Sequence, residues 1–504
     1  MAPRHSPATL RHPATATPVR TVLVWAVVAS MSGCAADDPV ANDASWPLGQ
    51  PDAIARLREP VTIAPHDKDL FRNLVFSTGI QANRFVRAVD IRPGPGVVHH
   101  AVLQIDPTPD SRKLDEADPE AGFGGMAMGA SKPPTGHFLG WTPGKVPLDG
   151  GAASAWQLTG GSDFVLQVHL PPSDTTVRLA PTVGLYFSDT APSDILSRVL
   201  LANETLDIPP GATDYVATDV MDFPVALEVL AVYPHAHFLA RTMRITAELP
   251  DGSVTPLLLI DDWDFGAQVE YRFDDPVLLP AGSRVTMRYQ YDNSAANPLN
   301  PNTPPRRVRF GLQSTDEMAT VMLQVRLRST EDGHRLTETQ ARHTLQYAPR
   351  NWVARYDLAT SLLHQGRSSE AIPYLRLTVQ DRPDQIDAWD NLGVALAQTG
   401  QLAEAVAAWQ RILVLDGNNT QAHSNIGNLF LSTGQPATAL EHFRQAAIRN
   451  PEDAILQAKI GTALARMDDI AGAIEAFERA TELAPEDPGL QRSLETLREQ
   501  AAGR

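Results

Sequence analysis

Six side chains able to ligate a soft or borderline metal ion are strung along the first two-thirds of this chain, in two sets of three. The first set is the adjacent pair His99 and His100 (VVHHAVLQ) with His169 (FVLQVHLPP). The second is His235 and His237 (AVYPHAHFLA) with Met318 (STDEMATVM). Imidazole suits copper, and a thioether suits its soft Cu(I) state. A three-histidine set and a two-histidine, one-methionine set therefore describe two copper sites per chain with different tasks. They point to redox chemistry rather than zinc hydrolysis.

Such ligands need a scaffold. From residue 60 to 330 short runs rich in Val, Leu, Phe and Tyr alternate with turn signals such as RPGPG, LTGGSD and LPDGS. This is the pattern of two all-β sandwich domains, expected at 60–195 and 196–330. Side chains i and i+2 share one face of a strand, so His235 and His237 are expected to act from one strand. Neighbouring residues point to opposite faces, so His99 and His100 need a strand end or a bulge, which the preceding Gly and Pro residues allow. His169 and Met318 are expected to arrive on separate strands from across the sandwich. Gln167, two residues before His169, is a candidate outer partner that orients a ligand. Asp316 and Glu317 read as a solvated acidic turn, His66 and His137 as loop histidines, and Met126 and Met128 as incidental members of a Gly-rich loop.

The ordered motifs HHA, LQVH, HxH and TDEM resemble the copper type II, ascorbate-dependent monooxygenases, the family of peptidylglycine alpha-hydroxylating monooxygenase and dopamine beta-monooxygenase. The resemblance spans roughly residues 60–330. It implies two β-sandwiches facing an open cleft. His99, His100 and His169 would hold an electron-storing copper, with Gln167 close to that cofactor. His235, His237 and Met318 would hold the catalytic copper, where dioxygen binds and a C–H bond is hydroxylated. Ascorbate or another one-electron reductant would be the co-substrate. Three positions depart from the peptide-amidating members. Tyr233 stands where they carry a carboxylate-anchoring arginine, and Thr320 and Met322 replace an asparagine and a tyrosine. The organic substrate, small molecule or peptide, is therefore left open. A different class of reading is a non-enzymatic copper-binding or scaffold lipoprotein that keeps the ligands without turnover.

Beyond about residue 345 an internal period of 34 residues appears. Pro349, Pro383, Pro451 and Pro485 share one register, as do Gly366, Gly400 and Gly434 followed by Asp468. Ala371, Ala405, Ala439 and Ala473 share another, as do Leu375, Trp409, Phe443 and Phe477. This resembles the tetratricopeptide signature, an all-α solenoid of four repeats over 347–488 with a linker at 331–346 and a tail at 489–504. Such stacks offer a concave groove to a protein or peptide partner.

The remaining features concern where the protein works. Hydrophobic residues make up 43% of the 504, enough for packed cores in several domains, and the net charge of -17 excludes a nucleic-acid partner. The only cysteine, Cys34, follows a basic start and the short apolar run Thr21 to Met31, the layout of an export signal. Met31-Ser32-Gly33-Cys34 resembles a bacterial lipobox, with residues 1–34 as signal and Cys34 as the lipidated residue. Ala35 after it favours the outer membrane. The expected protein is lipid-anchored in the cell envelope, facing the periplasm or the surface, on a polar tether of residues 35–59. A lipidated Cys34 leaves no disulfide to stabilise the mature chain.

Overall fold

The computed structural model describes residues 46–94, 97–266 and 268–503. Cys34, the export segment and residues 35–45 of the expected tether lie outside them. The chain divides into two compact units, one ending at Leu336 and one beginning at Thr337.

The first unit is β-rich. In its first half, a five-stranded sheet runs in the order Phe123–Gly124, Leu70–Ser77, Asp163–Leu170, His100–Asp106, Leu139–Trp141. It shares one core with a four-stranded sheet of Ala53–Arg56, Thr182–Ser188, Arg84–Arg92 and Trp156–Leu158, through residues such as Leu74, Leu103 and Leu166 against Val86, Leu158 and Val183. Strand Asp163–Leu170 is buried at every position. Its even residues Phe164, Leu166, Val168 and Leu170 enter that core, and Val165, Gln167 and His169 occupy the opposite face, which is covered as well. A central strand covered on both faces loses the exposed–buried alternation of a surface strand, and here the second covered face carries the polar Gln167 and His169. Strand Ala53–Arg56 pairs with Thr182–Ser188, so folded structure begins inside the segment expected to be a tether.

The second half opens with strand Ile195–Ala202, in a sheet ordered Ile195–Ala202, Thr320–Leu327, Leu227–His235, Tyr271–Leu279. A second four-stranded sheet, Tyr215–Asp222, Arg284–Tyr291, Ala240–Glu248 and Val254–Ile260, closes the core with Ile245, Met287 and Tyr289. Strand Leu227–His235 carries a β-bulge. Val229 pairs with Val325, yet Ala231 pairs with Gln324, so one extra residue sits between them. Leu227 and Val229 point into the core before the bulge, and Val232 and Ala236 do so after it. Tyr233 and His235 are thereby turned to the outer face.

The second unit is a helical repeat array. Gly366, Gly400 and Gly434 take left-handed φ values of 72°, 79° and 75°, and Asp468, in the same register, takes 66°. These residues end the first helix of each pair, where L-residues with a bulky side chain are strained. A second register was not read from the sequence. Gly393, Gly427 and Gly461 each lie where a Cβ would stand within 2.4–2.6 Å of Trp409, Phe443 and Phe477 respectively, so glycine lets the aromatic ring of the next helix approach. Two expectations are corrected. The linker at 331–346 lies within a helix, Thr330–Tyr347, and the tail is a helix, Pro488–Ala502, whose Leu494 and Leu497 join the core of the last repeats. Among the described residues no helix is long and apolar enough to cross a membrane.

Candidate metal centres

His100 is the first residue of its strand and pairs directly with His169 on the neighbouring strand; His99 lies just before the strand, its N–H donating to His169 O at 3.0 Å. The strand end thus releases His99 from the alternation that would separate it from His100. His169 comes from the adjacent strand of the same sheet, not from across the sandwich, because the non-local pairing set it beside His100. The Nδ1 atoms of His99 and His100 are 3.1 Å apart, and those of His100 and His169 are 3.3 Å apart. One ligand atom from each of the three rings lies within 4.8 Å of the others. Two nitrogens each ~2.0 Å from one ion at a tetrahedral angle stand about 3.3 Å apart, so this trio fits a first-row metal ion. Burial, then His169 and His235, depresses the pKa of His99 to about 4, and burial pushes His100 well down. Neutral imidazoles are the form that ligates.

Asp69 is a partner that the sequence did not reveal. Its Oδ1 accepts from His169 Nε2 at 3.0 Å, which fixes the proton on Nε2 and leaves the Nδ1 lone pair toward the other two rings. Burial acts to raise the Asp69 carboxyl, but hydrogen bonds from His169 and Ser314 outweigh it and hold it below the usual range. Phe71 stacks on the His169 ring at 4.3 Å. Gln167 has a different task from the one expected. Its Nε2 donates to Asn73 Oδ1 and to the carbonyls of Gly125 and Met126, so it fastens the Gly-rich loop, and no hydrogen bond joins it to a histidine among the described residues.

In the second set, His235 is the last residue of its strand and His237 lies two residues beyond, so the pair straddles a strand end rather than sharing one regular strand. Their ring centroids are 5.3 Å apart. His235 Nδ1 donates to Gln268 Oε1 at 2.6 Å, and His237 Nδ1 donates to the Asp316 carbonyl at 3.1 Å. Both rings therefore keep Nε2 as the free acceptor. Burial depresses both, His237 to about 3. Met318 sits half-buried in the loop just before strand Thr320–Leu327, whose Thr320 pairs with His235; it too comes from the adjacent strand of the same sheet. Glu317 is wholly buried, not solvated. Its Oε2 accepts from the backbone N–H groups of His237 (2.7 Å) and Met318 (2.9 Å), and Oε1 from that of Leu239 (2.7 Å). One carboxylate thus holds the backbones of His237 and Met318 side by side. Burial pushes the Glu317 carboxyl up to about 7 against the pull of those amides.

The outer faces of the two sheets form opposite walls of a cavity of about 280 Å³. His100, Val102, Gln167 and Met126 line one side, and Tyr233, His235, Thr320 and Met322 the other. Phe265 lies between the sets, its ring 4.5 Å from that of His99 and 5.5 Å from that of His237. At one end Glu270 meets Lys145 at 3.4 Å and Arg272 at 3.0 Å, so its charge is neutralised within the wall. Tyr233 packs edge-on against Phe138 at 5.4 Å. His137, read as a structural loop histidine, has both ring nitrogens bonded to backbone carbonyls of Thr135 and Ser154.

The tetratricopeptide repeat family matches residues 325–386, 356–421 and 425–488. No curated protein matches the chain. Solved structures that match include MamA, residues 41 to the end, from Desulfovibrio magneticus RS-1, at 23% identity over 30% of this chain and 85% of that one, with a TM-score of 0.29. YrrB, a TPR protein with an unusual peptide-binding site, is 18% identical over 32% of this chain and 84% of its own, with a TM-score of 0.30. TTC0263, a thermophilic TPR protein of Thermus thermophilus, is 18% identical over 32% and 90%, with a TM-score of 0.28.

Proposed function

We propose that the β unit is a copper-dependent monooxygenase that hydroxylates a C–H bond of an organic molecule held between its two histidine sets. The observation that carries this reading is the placement of two unlike ligand sets on facing walls of one cavity, with a histidine from each, His100 and His235, on its lining. Copper held by His99, His100 and His169, and by His235, His237 and Met318, would supply one-electron redox chemistry and dioxygen activation. The overall reaction consumes dioxygen, two electrons and two protons; one oxygen atom enters the C–H bond and the other leaves as water. A one-electron donor such as ascorbate supplies the electrons.

The chain's own residues have definite tasks in this scheme. Asp69 and Gln268 fix imidazole tautomers so that lone pairs face the ions. Burial keeps the His99, His100, His235 and His237 rings neutral. Phe138, Trp141 and Met322 give the substrate an apolar bed, and the internally paired Glu270 offers no free charge to an amine. The absence of an arginine at Tyr233 argues against a carboxylate-anchored peptide. The repeats would bind a protein or peptide partner in their groove, and Cys34 would tether the whole to the envelope.

The test is a copper titration followed by oxygen uptake with ascorbate and a search for products heavier by one oxygen atom. Two coppers per chain are expected, with activity abolished in His235→Ala and unchanged in His364→Ala. Saturation at one copper, or turnover surviving His235→Ala, would overturn the reading and leave a copper-binding scaffold.

A further inference from the structure

We infer that Asp69 is a positioning residue that couples occupancy of the first centre to the shape of the second. The inference rests on the reading above, because it needs the His99/His100/His169 trio to bind a metal ion. The Asp69 side chain is 6% exposed, and its two oxygens serve different halves of the β unit. Oδ1 takes the Nε2–H of His169 at 3.0 Å. Oδ2 takes both the backbone N–H (2.9 Å) and the hydroxyl (2.6 Å) of Ser314. Ser314 opens the short segment that builds the second centre. Two residues on, the Asp316 carbonyl orients His237; Glu317 clamps the His237 and Met318 backbones; Met318 follows.

The coupling is mechanical and electrostatic. Phe71 lies flat on the His169 ring, with the planes 9° apart, so the ring is free to shift only within its own plane, toward or away from Asp69. A cation on Nδ1 withdraws electron density from the imidazole and makes its Nε2–H a stronger donor. That shortens and strengthens the bond to a carboxylate already screened from water. The same carboxylate holds Ser314, so ordering at His169 is passed to the 313–318 segment. Conversely, an ordered segment pre-positions Asp69 and raises the affinity of the trio. Linkage requires the two effects to be equal in free energy.

The experiment uses the full chain in a His235→Ala background. That change disables the second set without removing any hydrogen bond of the 313–318 segment. Cu(I) is the probe, titrated anaerobically against a chromophoric chelator, with amide hydrogen exchange of residues 313–318 as the second readout. One Cu(I) is expected to bind and to slow that exchange several-fold. Adding Asp69→Asn is expected to weaken Cu(I) binding about 10–100-fold and to abolish the slowing even at saturating Cu(I). Ser314→Ala keeps the backbone bond, so it retains partial slowing and guards against misfolding of the first variant. If Cu(I) binds but the segment is silent, or if Asp69→Asn leaves the slowing intact, the coupling is overturned while the metal site stands. If the His235→Ala protein takes up no Cu(I), the first centre itself is refuted and the coupling falls with it.

Discussion

Replacing Gln268 separates the two centres in a single measurement. Its Oε1 is 2.6 Å from His235 Nδ1, and its Nε2 donates to the Phe265 carbonyl, so the amide orientation is determined and the oxygen faces the ring. Gln268→Met keeps the length and removes the acceptor. The Nδ1–H then lacks a partner, at a cost of about 1 kcal/mol or more. The ring escapes by moving its proton to Nε2, the atom that must bind metal, so the ion has to displace it. Removing a partner of this kind lowers metal affinity about 10–100-fold, equivalent to about 1.4–2.7 kcal/mol. Gln268→Glu restores an acceptor and is expected to bind as tightly as the parent or better. The Gln268 side chain has no hydrogen bond to the first trio, so that affinity is expected to be unchanged. Anaerobic Cu(I) competition, resolved into two steps, reads both sites at once. A Met variant with the parent's second step, or with both steps weakened equally, would refute the tautomer argument.

Three further outcomes follow from the same geometry. Gly427→Ala reverses a familiar sign: alanine in a helix normally gains about 1 kcal/mol, but here its Cβ would fall 2.5 Å from Phe443, and a loss of about 1–3 kcal/mol is expected in the repeat unit alone, by urea denaturation followed separately for each unit. In the metal-free protein, NMR titration is expected to find the His99 and His237 rings neutral far below pH 6.5, since burial depresses them to about 4 and about 3. Their contribution to stability is therefore present above pH 6.5 and lost as pH falls through those lower values, and either ring titrating near 6.5 would contradict this. Gln167→Leu should leave Cu(I) affinity at the trio unchanged while exposing residues 122–128 to limited proteolysis, because that side chain holds the loop and not a ligand.

The closeness of the paired histidines was legible in the sequence because HH and HxH are local patterns, and the repeats because a 34-residue period survives any single substitution. What escaped reading was non-local. Asp69 lies a hundred residues before His169, and Ser314 a further long stretch away, with no pattern joining them. Strand pairing set His169 and Met318 beside their partners on the same sheet, which alternation alone does not determine. Glu317 looked solvated because its acceptors are used by backbone amides, invisible in a string of residue types. The segment 331–346 read as a linker because Gly333 and its charges mask sparse apolar positions at Leu336, Ala341 and Leu345. The terminal helix, by contrast, carries Leu490, Leu494 and Leu497 at helical spacing, a stripe that was there to be read.

The extra residue between Val229 and Ala231 has an evolutionary corollary. Counting by twos from Leu227 and Val229 along an unbroken strand would aim position 235 at the greasy interior; absorbing Leu230 in the bulge keeps it outward. Deleting Leu230 would leave Val229 and Ala231 on successive rungs opposite Val325 and Gln324, with Val232 still inward and His235 still outward. A relative one residue shorter at this place would therefore present its histidine on the same face, so chain length here is freer than simple alternation implies.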